Sequence, residues 1–274
     1  MDNTWRAFPE KHPVKLWDGT PGFDAAFGQD EPTVTPYLVG NGSGAVIVFP
    51  GGGYQMKALH EAEPIALALN ARGFSAFVLD YRVKPYAYPA PQQDAARAVR
   101  HVRVHAAEYG VKPDKLAVLG FSAGGHLAAS AGVFWDRGNR MNADPVERAS
   151  SRPDAMILCY PVIQLFGALH HGGSAKNLLG EQAGDGGLRR ALSPNLHVTG
   201  ETSPAFLWHT AEDDAVPVAN SIIMFEALRK HGVHAEMHIF PQGRHGLGLA
   251  EGDVAVSQWV DLCSEFLKGL GFQA

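Results

Sequence analysis

The pentapeptide Gly-Phe-Ser-Ala-Gly at residues 120–124 has the residue types of a turn that presents a serine nucleophile. An apolar run precedes it at 115–119, and a small-residue stretch typical of a helix follows at 125–131. Glycine on both sides of Ser122 permits a sharp strand-to-helix turn, because no Cβ atoms collide there. An ordinary glycine turn with a helix-capping serine has the same pattern, so the interpretation depends on finding partners for Ser122.

A serine nucleophile needs a base that takes its proton and a carboxylate that orients this base. Three adjacent acids, Glu212, Asp213 and Asp214, follow the strand-like run 205–210. Asp213 is the preferred orienting acid, because it stands four residues before Pro217 in a D-x-x-V-P sequence. Asp214 is the alternative, and Glu212 fits an acidic loop better than a catalytic role.

His245 is the candidate base. It follows the strand-like run 235–240 and lies between glycines in the loop 243–248. The resulting chain order of serine, acid and histidine, each after a strand, is the order found in serine hydrolases built on a parallel sheet. His209 is the competing candidate, but it lies inside a strand pattern, where a buried structural histidine is more common.

Main-chain donors are needed for the oxyanion that forms when the serine attacks a carbonyl. One donor is expected at Ala123, directly after the nucleophile, and others in the loop 50–54, which carries three successive glycines. This loop has neither the Lys and Ser/Thr of a nucleotide phosphate loop nor a G-x-G-x-x-G pattern. We therefore interpret it as one wall of an oxyanion hole.

Three aromatic residues fall near the predicted mouth of this site and are candidate substrate contacts: Tyr54, Trp135 and Tyr160. Aromatic faces suit both sugar rings and acyl groups. The 13 histidines include no H-E-x-x-H pattern, and the two cysteines are too far apart for a metal-binding pair. No metal site and no cofactor are predicted, and we expect His101 and His105 on a solvent-facing side of a helix.

The elements that must position these residues alternate along the chain. Strands are predicted over 45–49, 74–80, 115–120, 155–160, 205–210 and 235–240, and helices over 61–71, 91–109, 122–134, 218–231 and 254–267. This alternation predicts an α/β fold with a mostly parallel central sheet and helices on both faces. The interrupted runs 14–17 and 35–39 predict antiparallel N-terminal edge strands. We expect one domain over residues 1–274, with 164–202 as a partly helical excursion over the active-site edge.

Composition limits the partners that we expect. The chain has 274 residues, 46% of them hydrophobic, and a formal net charge of −5. Its basic residues form no stripe, which argues against nucleic acid and anionic membranes. The N-terminal residues lack a secretory pattern and no apolar stretch approaches roughly 20 residues, so no membrane span and a cytoplasmic location are expected. The predicted partner is a small neutral substrate, and the sequence leaves a homodimer open.

With these motifs the chain resembles the α/β-hydrolase superfamily. More narrowly, it resembles the bacterial acetyl xylan esterase and feruloyl esterase-like group of xylanase-associated esterases. The likeness extends from about residue 34 to about residue 270 and is carried by the segments 50–54, 120–128 and 208–217. One departure is Pro50, where related lipase-like esterases have the histidine of an HGGG motif, so the resemblance does not fix which glycine N–H groups donate.

The resemblance implies a catalytic triad and an oxyanion hole at positions consistent with those read from the sequence: Ser122, Asp213 and His245, with Gly52, Gly53 and Ala123. It implies ester hydrolysis through an acyl-enzyme without a cofactor, with an acetylated xylo-oligosaccharide or similar sugar as the small-molecule ester and feruloyl esters as further substrates. The alternatives are a general short-chain carboxylesterase, an amidase of the kynurenine formamidase kind, a peptidase, and a hydrolase-fold binding protein without catalysis.

Overall fold

The computed structural model describes residues 12–40 and 42–273. Within these residues one sheet has eight strands in the order β1-β2-β4-β3-β5-β6-β7-β8. The strands are β1 (Val14–Lys15), β2 (Thr33–Tyr37), β3 (Ala45–Phe49), β4 (Ser75–Asp80), β5 (Leu116–Phe121), β6 (Ala155–Cys159), β7 (Ala205–Thr210) and β8 (Ala235–Phe240). Strands β3 to β8 pair in parallel, whereas β1 and β2 pair antiparallel at one edge. The predicted fold class is confirmed.

Helices cover both faces of this sheet. They are α1 (Glu63–Asn70), α2 (Ala90–Val104), α3 (Ala106–Tyr109), α4 (Ser122–Val133), α5 (Gly172–Leu179), α6 (Gly186–Ala191), α7 (Ala219–Lys230) and α8 (Trp259–Gly269). Successive side chains of a strand point to opposite faces of the sheet. In β3, Ile47 packs on the face covered by α2, α4 and α7, and Val48 packs on the face covered by α1 and α8. Among the described residues no helix combines the length and apolar character needed to cross a membrane.

The predicted helix 91–109 is wrong at one point, because it is interrupted at His105 between α2 and α3. The expectation that His101 faces solvent is also wrong. Its ring lies 4.3 Å from the ring of His105, centroid to centroid, and its Nε2 lies 3.1 Å from the hydroxyl of Tyr109. The hydroxyl of Tyr109 in α3 thus contacts the ring of His101, and burial lowers the pKa of His101 to about 4.

The segment 164–202 joins β6 to β7 and contains the helices α5 and α6. The amide of Asn177 in α5 donates to the carbonyl of Gly53 at 2.9 Å. The amide of Asn220, in the first turn of α7, donates to the carbonyl of Leu169 at 2.9 Å. The segment therefore contacts both the glycine loop that follows β3 and the helix that follows β7.

Candidate active site

Ser122 lies at the turn between β5 and α4, in a strained backbone conformation with φ of 54°. A Cβ atom at Gly120 would lie 2.0 Å from the carbonyl oxygen of Gly124, and one at Gly124 would lie 2.1 Å from the carbonyl oxygen of Phe49. The turn is thus too tight for any other residue at these two positions. A positive φ at a non-glycine residue typically costs about 1–3 kcal/mol and is common at active sites.

The structure brings Ser122, His245 and Asp213 into one hydrogen-bonded line. The Nε2 of His245 lies 2.8 Å from the Oγ of Ser122, and its Nδ1 lies 2.7 Å from the Oδ2 of Asp213. Because the Nδ1 proton is donated to a carboxylate, Nε2 is left to accept the hydroxyl proton of Ser122. Of the two competing acids, Asp213 and not Asp214 contacts His245.

The carboxylate of Asp213 is 1% exposed and is held by four donors. Oδ1 accepts from the N–H groups of Ala215 at 3.0 Å and Val216 at 2.8 Å, and Oδ2 lies near His245 and, at 3.2 Å, near Nε2 of His209. Burial raises the pKa of Asp213, but the hydrogen bonds from His209, His245 and Val216 together outweigh it and hold this pKa well below its usual value. The carboxyl group is therefore ionised at neutral pH.

The glycine loop after β3 presents main-chain N–H groups rather than side chains. The φ angles of Gly52, Gly53 and Tyr54 are all positive, at 126°, 65° and 57°. The N–H of Gly51 donates to the Oε2 of Glu61 at 2.8 Å and is therefore unavailable to a substrate. Within the described ranges the N–H groups of Gly52 and Gly53 donate to no other residue. These two are the glycine N–H groups that remain free to bind an anion.

A third N–H group lies on the other side of the serine. Ala123 is the second residue of α4, so its N–H belongs to the first helical turn and has no partner within the helix. The positive end of the helix dipole also favours negative charge at this position. The geometry is suited to stabilising an oxyanion beside Ser122.

The family model BD-FAE matches residues 36–228. The chain belongs to the BD-FAE family of α/β-hydrolases. This match confirms the family resemblance that the sequence motifs carry.

One solved structure similar to this BD-FAE chain is an acetyl ester-xyloside bifunctional hydrolase from Caldicellulosiruptor lactoaceticus. It is 48% identical, with a TM-score of 0.93 and coverage of 97% of this chain and 98% of that one. Among curated proteins, endo-1,4-beta-xylanase B of Butyrivibrio fibrisolvens is 38% identical over 78% of this chain and 34% of its own length. The acetylxylan esterase of Xylanibacter ruminicola is 31% identical over 86% of this chain and 46% of its own length. The chain thus spans a third to a half of these two curated relatives.

Two of the aromatic residues predicted as substrate contacts are buried in this BD-FAE chain, and those predictions are wrong. Tyr54 is 1% exposed, and its hydroxyl lies 2.8 Å from Nδ1 of the buried His126. Tyr160 is 2% exposed and donates its hydroxyl to Oε1 of Glu61 at 2.6 Å. The hydroxyl groups of both tyrosines are already hydrogen-bonded in the interior, so neither is available to a substrate.

Trp135, the third predicted contact, lies beyond the far end of α4. It is 13 positions after Ser122, which at 1.5 Å per helical residue corresponds to roughly 20 Å. The guanidinium groups of Arg137 and Arg152 lie over its ring, at 5.9 and 5.7 Å from the centroid. The prediction is wrong because the helix carries Trp135 away from the sheet edge where the serine lies.

Glu61 is a site residue that the sequence analysis missed. Its carboxylate is buried and accepts from the N–H of Gly51 and the hydroxyl of Tyr160, which in turn accepts from the N–H of Gly248 at 2.9 Å. Glu61 therefore links the glycine loop to the loop that carries His245. In the sequence it was indistinguishable from an ordinary acidic residue at a helix start, and only the fold shows its partners.

His171, at the start of α5, is a second residue that the sequence analysis missed. Its Nδ1 lies 2.8 Å from the hydroxyl of Ser174. Burial lowers the pKa of His171, the charge of His245 lowers it further, and Asp213 opposes both effects. The 164–202 segment reaches the site on the glycine-loop side, where the side-chain amide of Asn177 donates to the carbonyl of Gly53 at 2.9 Å. Among the residues that the structure describes, no cluster of three His, Cys, Asp or Glu side chains is arranged to hold a metal ion.

Proposed function

We propose that this chain is a serine carboxylic-ester hydrolase that removes acetyl groups from xylo-oligosaccharides or similar sugars through an acyl-enzyme. The observation that carries the proposal is the continuous line from Ser122 Oγ through His245 to Asp213, with contacts of 2.8 and 2.7 Å. A serine hydroxyl in contact with an oriented imidazole is the arrangement that activates it as a nucleophile.

In the proposed reaction, the Oγ of Ser122 attacks the ester carbonyl while its proton passes to the Nε2 of His245. The ionised Asp213 stabilises the imidazolium that forms. The carbonyl oxygen becomes an oxyanion, which the N–H groups of Gly52, Gly53 and Ala123 stabilise; removing one such donor typically costs about 2.7–4 kcal/mol.

The sugar alcohol then leaves with the proton from His245, and an acetyl group stays on Ser122. A water molecule gives one proton to His245 and attacks the acyl-enzyme, so that acetate is released. The returning proton restores the hydroxyl of Ser122. No metal or organic cofactor has a role in this scheme.

The sugar substrate is supported by the relatives' names and by the 164–202 segment. Acetylxylan esterase and acetyl ester-xyloside hydrolase activities are named for proteins similar to this chain. The full-length coverage of the Caldicellulosiruptor lactoaceticus structure gives that support more weight than the curated relatives do, since this chain spans only part of them. We expect the 164–202 segment to meet the sugar, because Asn177 of this segment contacts Gly53 in the glycine loop beside Ser122.

The test compares kcat/KM for acetylated xylo-oligosaccharides, p-nitrophenyl acetate, a feruloyl ester, N-formylkynurenine and an aminoacyl amide. Among the natural substrate classes, we expect the acetylated sugar to give the highest value. Ser122→Ala should lower hydrolysis of every ester by at least about 10³-fold. Ser130→Ala, a buried serine farther along α4, is the matched control and should keep activity. A higher kcat/KM for the feruloyl ester, N-formylkynurenine or the aminoacyl amide than for the acetylated sugar would refute the sugar substrate, and an active Ser122→Ala variant would refute the nucleophile.

A further inference from the structure

His209 in β7 is a fully buried histidine that contacts the acid of the triad. Its Nε2 lies 3.0 Å from the carbonyl oxygen of Val216 and 3.2 Å from Oδ2 of Asp213. A carbonyl oxygen only accepts hydrogen bonds, so Nε2 must carry the hydrogen. This N–H is therefore shared between the carbonyl of Val216 and the carboxylate of Asp213.

The second ring nitrogen of His209, Nδ1, also has a hydrogen-bond partner. Nδ1 of His209 lies 2.8 Å from the hydroxyl of Ser221 in α7, from which it accepts in the neutral ring. The ring is thus held between α7 and the turn that carries Asp213. Both of its nitrogens have partners, so the ring can neither flip nor change tautomer without losing a hydrogen bond.

Two histidines consequently meet at one carboxylate oxygen. Oδ2 of Asp213 contacts both Nδ1 of His245 and Nε2 of His209, while Oδ1 accepts from the main chain. The main-chain bonds fix one oxygen, and the contact with His209 limits rotation of the carboxylate about it. That rotation would change the angle at which Oδ2 meets the proton of His245.

We propose, on the basis of the ester hydrolysis proposed above, that His209 is a positioning residue for the reaction. Its Nε2–H holds the carboxylate of Asp213 in the orientation that aims Oδ2 at His245. His209 does not contact the substrate and does not transfer a proton. Its loss misorients the base rather than removing it, so the effect on the rate should be far smaller than the effect of losing Ser122.

Two polar substitutions separate this role from simple filling of the core. In His209→Gln, the side-chain amide nitrogen can reach the place of Nε2 and donate to Asp213. In His209→Asn, the amide reaches only the place of Nδ1, near Ser221. We expect kcat for p-nitrophenyl acetate to fall about 10–100-fold in His209→Asn, with KM changed less than about threefold, because small misplacements of catalytic groups have effects of this size.

His209→Gln should keep kcat within about threefold of the wild-type value, because it restores the donor. The rate at which a fluorophosphonate labels Ser122 should follow the same order in both variants. His238→Asn, on the neighbouring strand β8, is the matched control, since Nε2 of His238 contacts Glu236 and not the triad. Unchanged kcat in His209→Asn, an equal loss in both His209 variants, or a loss confined to KM would overturn the proposal.

Ser221→Ala tests the proposal again should His209→Asn not fold. This variant keeps the imidazole and removes only the hydroxyl at Nδ1, and kcat should fall several-fold at constant KM. A wild-type kcat in Ser221→Ala would overturn the fixed orientation of the ring. Failure of the proposed function looks different: the wild-type protein would then hydrolyse no ester and its Ser122 would not react with the fluorophosphonate.

Discussion

The two sides of Ser122 hold their functional groups in opposite ways. On the acid–base side, the proposed catalytic groups are the side chains of His245 and Asp213, and hydrogen bonds to other side chains and to the main chain place them. On the glycine-loop side, main-chain N–H groups are the proposed oxyanion donors, and the positive φ angles of Gly52 and Gly53 place them. The geometry of the first side therefore depends on which side chains are present. The geometry of the second side depends on backbone conformation and on the absence of a side chain at the glycines.

The two sides are not independent, because Glu61 and Tyr160 link them. Glu61 accepts from Gly51 in the glycine loop and, through the hydroxyl of Tyr160, is connected to Gly248 in the loop of the base. A buried carboxylate with two neutral donors is costly to disturb, since each donor left unpaired loses a hydrogen bond in the interior. Substitutions at the glycine loop and at Glu61 can therefore test how far the two sides behave separately.

The largest effect is expected from Gly52→Ala. A Cβ atom there would lie 2.2 Å from the carbonyl oxygen of Met56, and the φ of 126° is unfavourable for alanine. The loop must move, which withdraws its N–H groups from the oxyanion, so kcat should fall about 10²–10³-fold. The measurement is kcat and KM for p-nitrophenyl acetate, with a thermal unfolding curve to show that the protein is folded.

Gly53→Ala is the matched substitution for this comparison. The nearest atom to its Cβ would be the hydroxyl oxygen of Ser174 at 3.9 Å, so there is room, and its φ of 65° is the left-handed conformation that alanine adopts at a cost of about 1–2 kcal/mol. We expect a loss below about tenfold. Equal losses in the two variants would show that space around Gly52 does not control this side of the site.

An intermediate effect is expected from Glu61→Gln. Each carboxylate oxygen of Glu61 accepts from a different donor, Gly51 or Tyr160. In glutamine one of these oxygens becomes an NH2 group, which is itself a donor and cannot accept the hydrogen bond from Gly51 or Tyr160. The lost hydrogen bond should destabilise the protein by about 1–3 kcal/mol. With the glycine loop less well held, kcat should fall about tenfold. Urea unfolding and steady-state kinetics measure the two effects.

Tyr160→Phe provides the control for Glu61→Gln. It removes one of the two donors, so in the double variant the glutamine can turn its oxygen to Gly51 and its amide away. The double variant should therefore be less destabilised than the sum of the single variants, as a double-mutant cycle would show. Additive losses would mean that Glu61 acts on the glycine loop without Tyr160.

The sequence predicted the acid–base side better than the glycine-loop side, for a physical reason. Serine, aspartate and histidine are recognisable by residue type as candidates for this chemistry. Their order after β5, β7 and β8 was enough to predict that Ser122, Asp213 and His245 lie together. The orientation of a main-chain N–H group, in contrast, cannot be predicted from residue type. It depends here on Glu61, which lies ten positions from Gly51 and has no distinguishing neighbour in the sequence.

The errors concerning the aromatic residues have a related cause. The sequence placed Tyr54 and Tyr160 near the serine, and both do lie close to the site. Proximity along the chain could not show which way each ring points, because that is decided by buried partners such as His126 and Glu61. Sequence patterns therefore predicted the elements and the triad, but not the interior hydrogen bonds that hold the loops.

The smallest effect is a dependence of the free energy of unfolding on pH, which we expect from the glycine-loop side. His126 is buried behind the glycine loop, where it accepts from the hydroxyl of Tyr54 and donates to the carbonyl of Leu192. Burial lowers its pKa from 6.5 to about 4, although the bond to Leu192 opposes this. The unfolded chain therefore binds a proton between about pH 6.5 and pH 4 that the folded chain does not, and stability must fall as the pH falls through this window.

This contribution should reach about 1.4 kcal/mol per pH unit for one group. We expect the stability of His126→Asn, measured by urea unfolding at pH 7, 6 and 5, to depend less steeply on pH than that of the wild-type protein. Asparagine can still accept from Tyr54 but takes up no proton. The carboxylate of Asp213, whose pKa is lowered from 3.8 in the folded protein, adds little between pH 7 and pH 5 because it is almost fully ionised in both states there. Parallel pH dependences in the two proteins would show that His126 does not contribute to the loss of stability in acid.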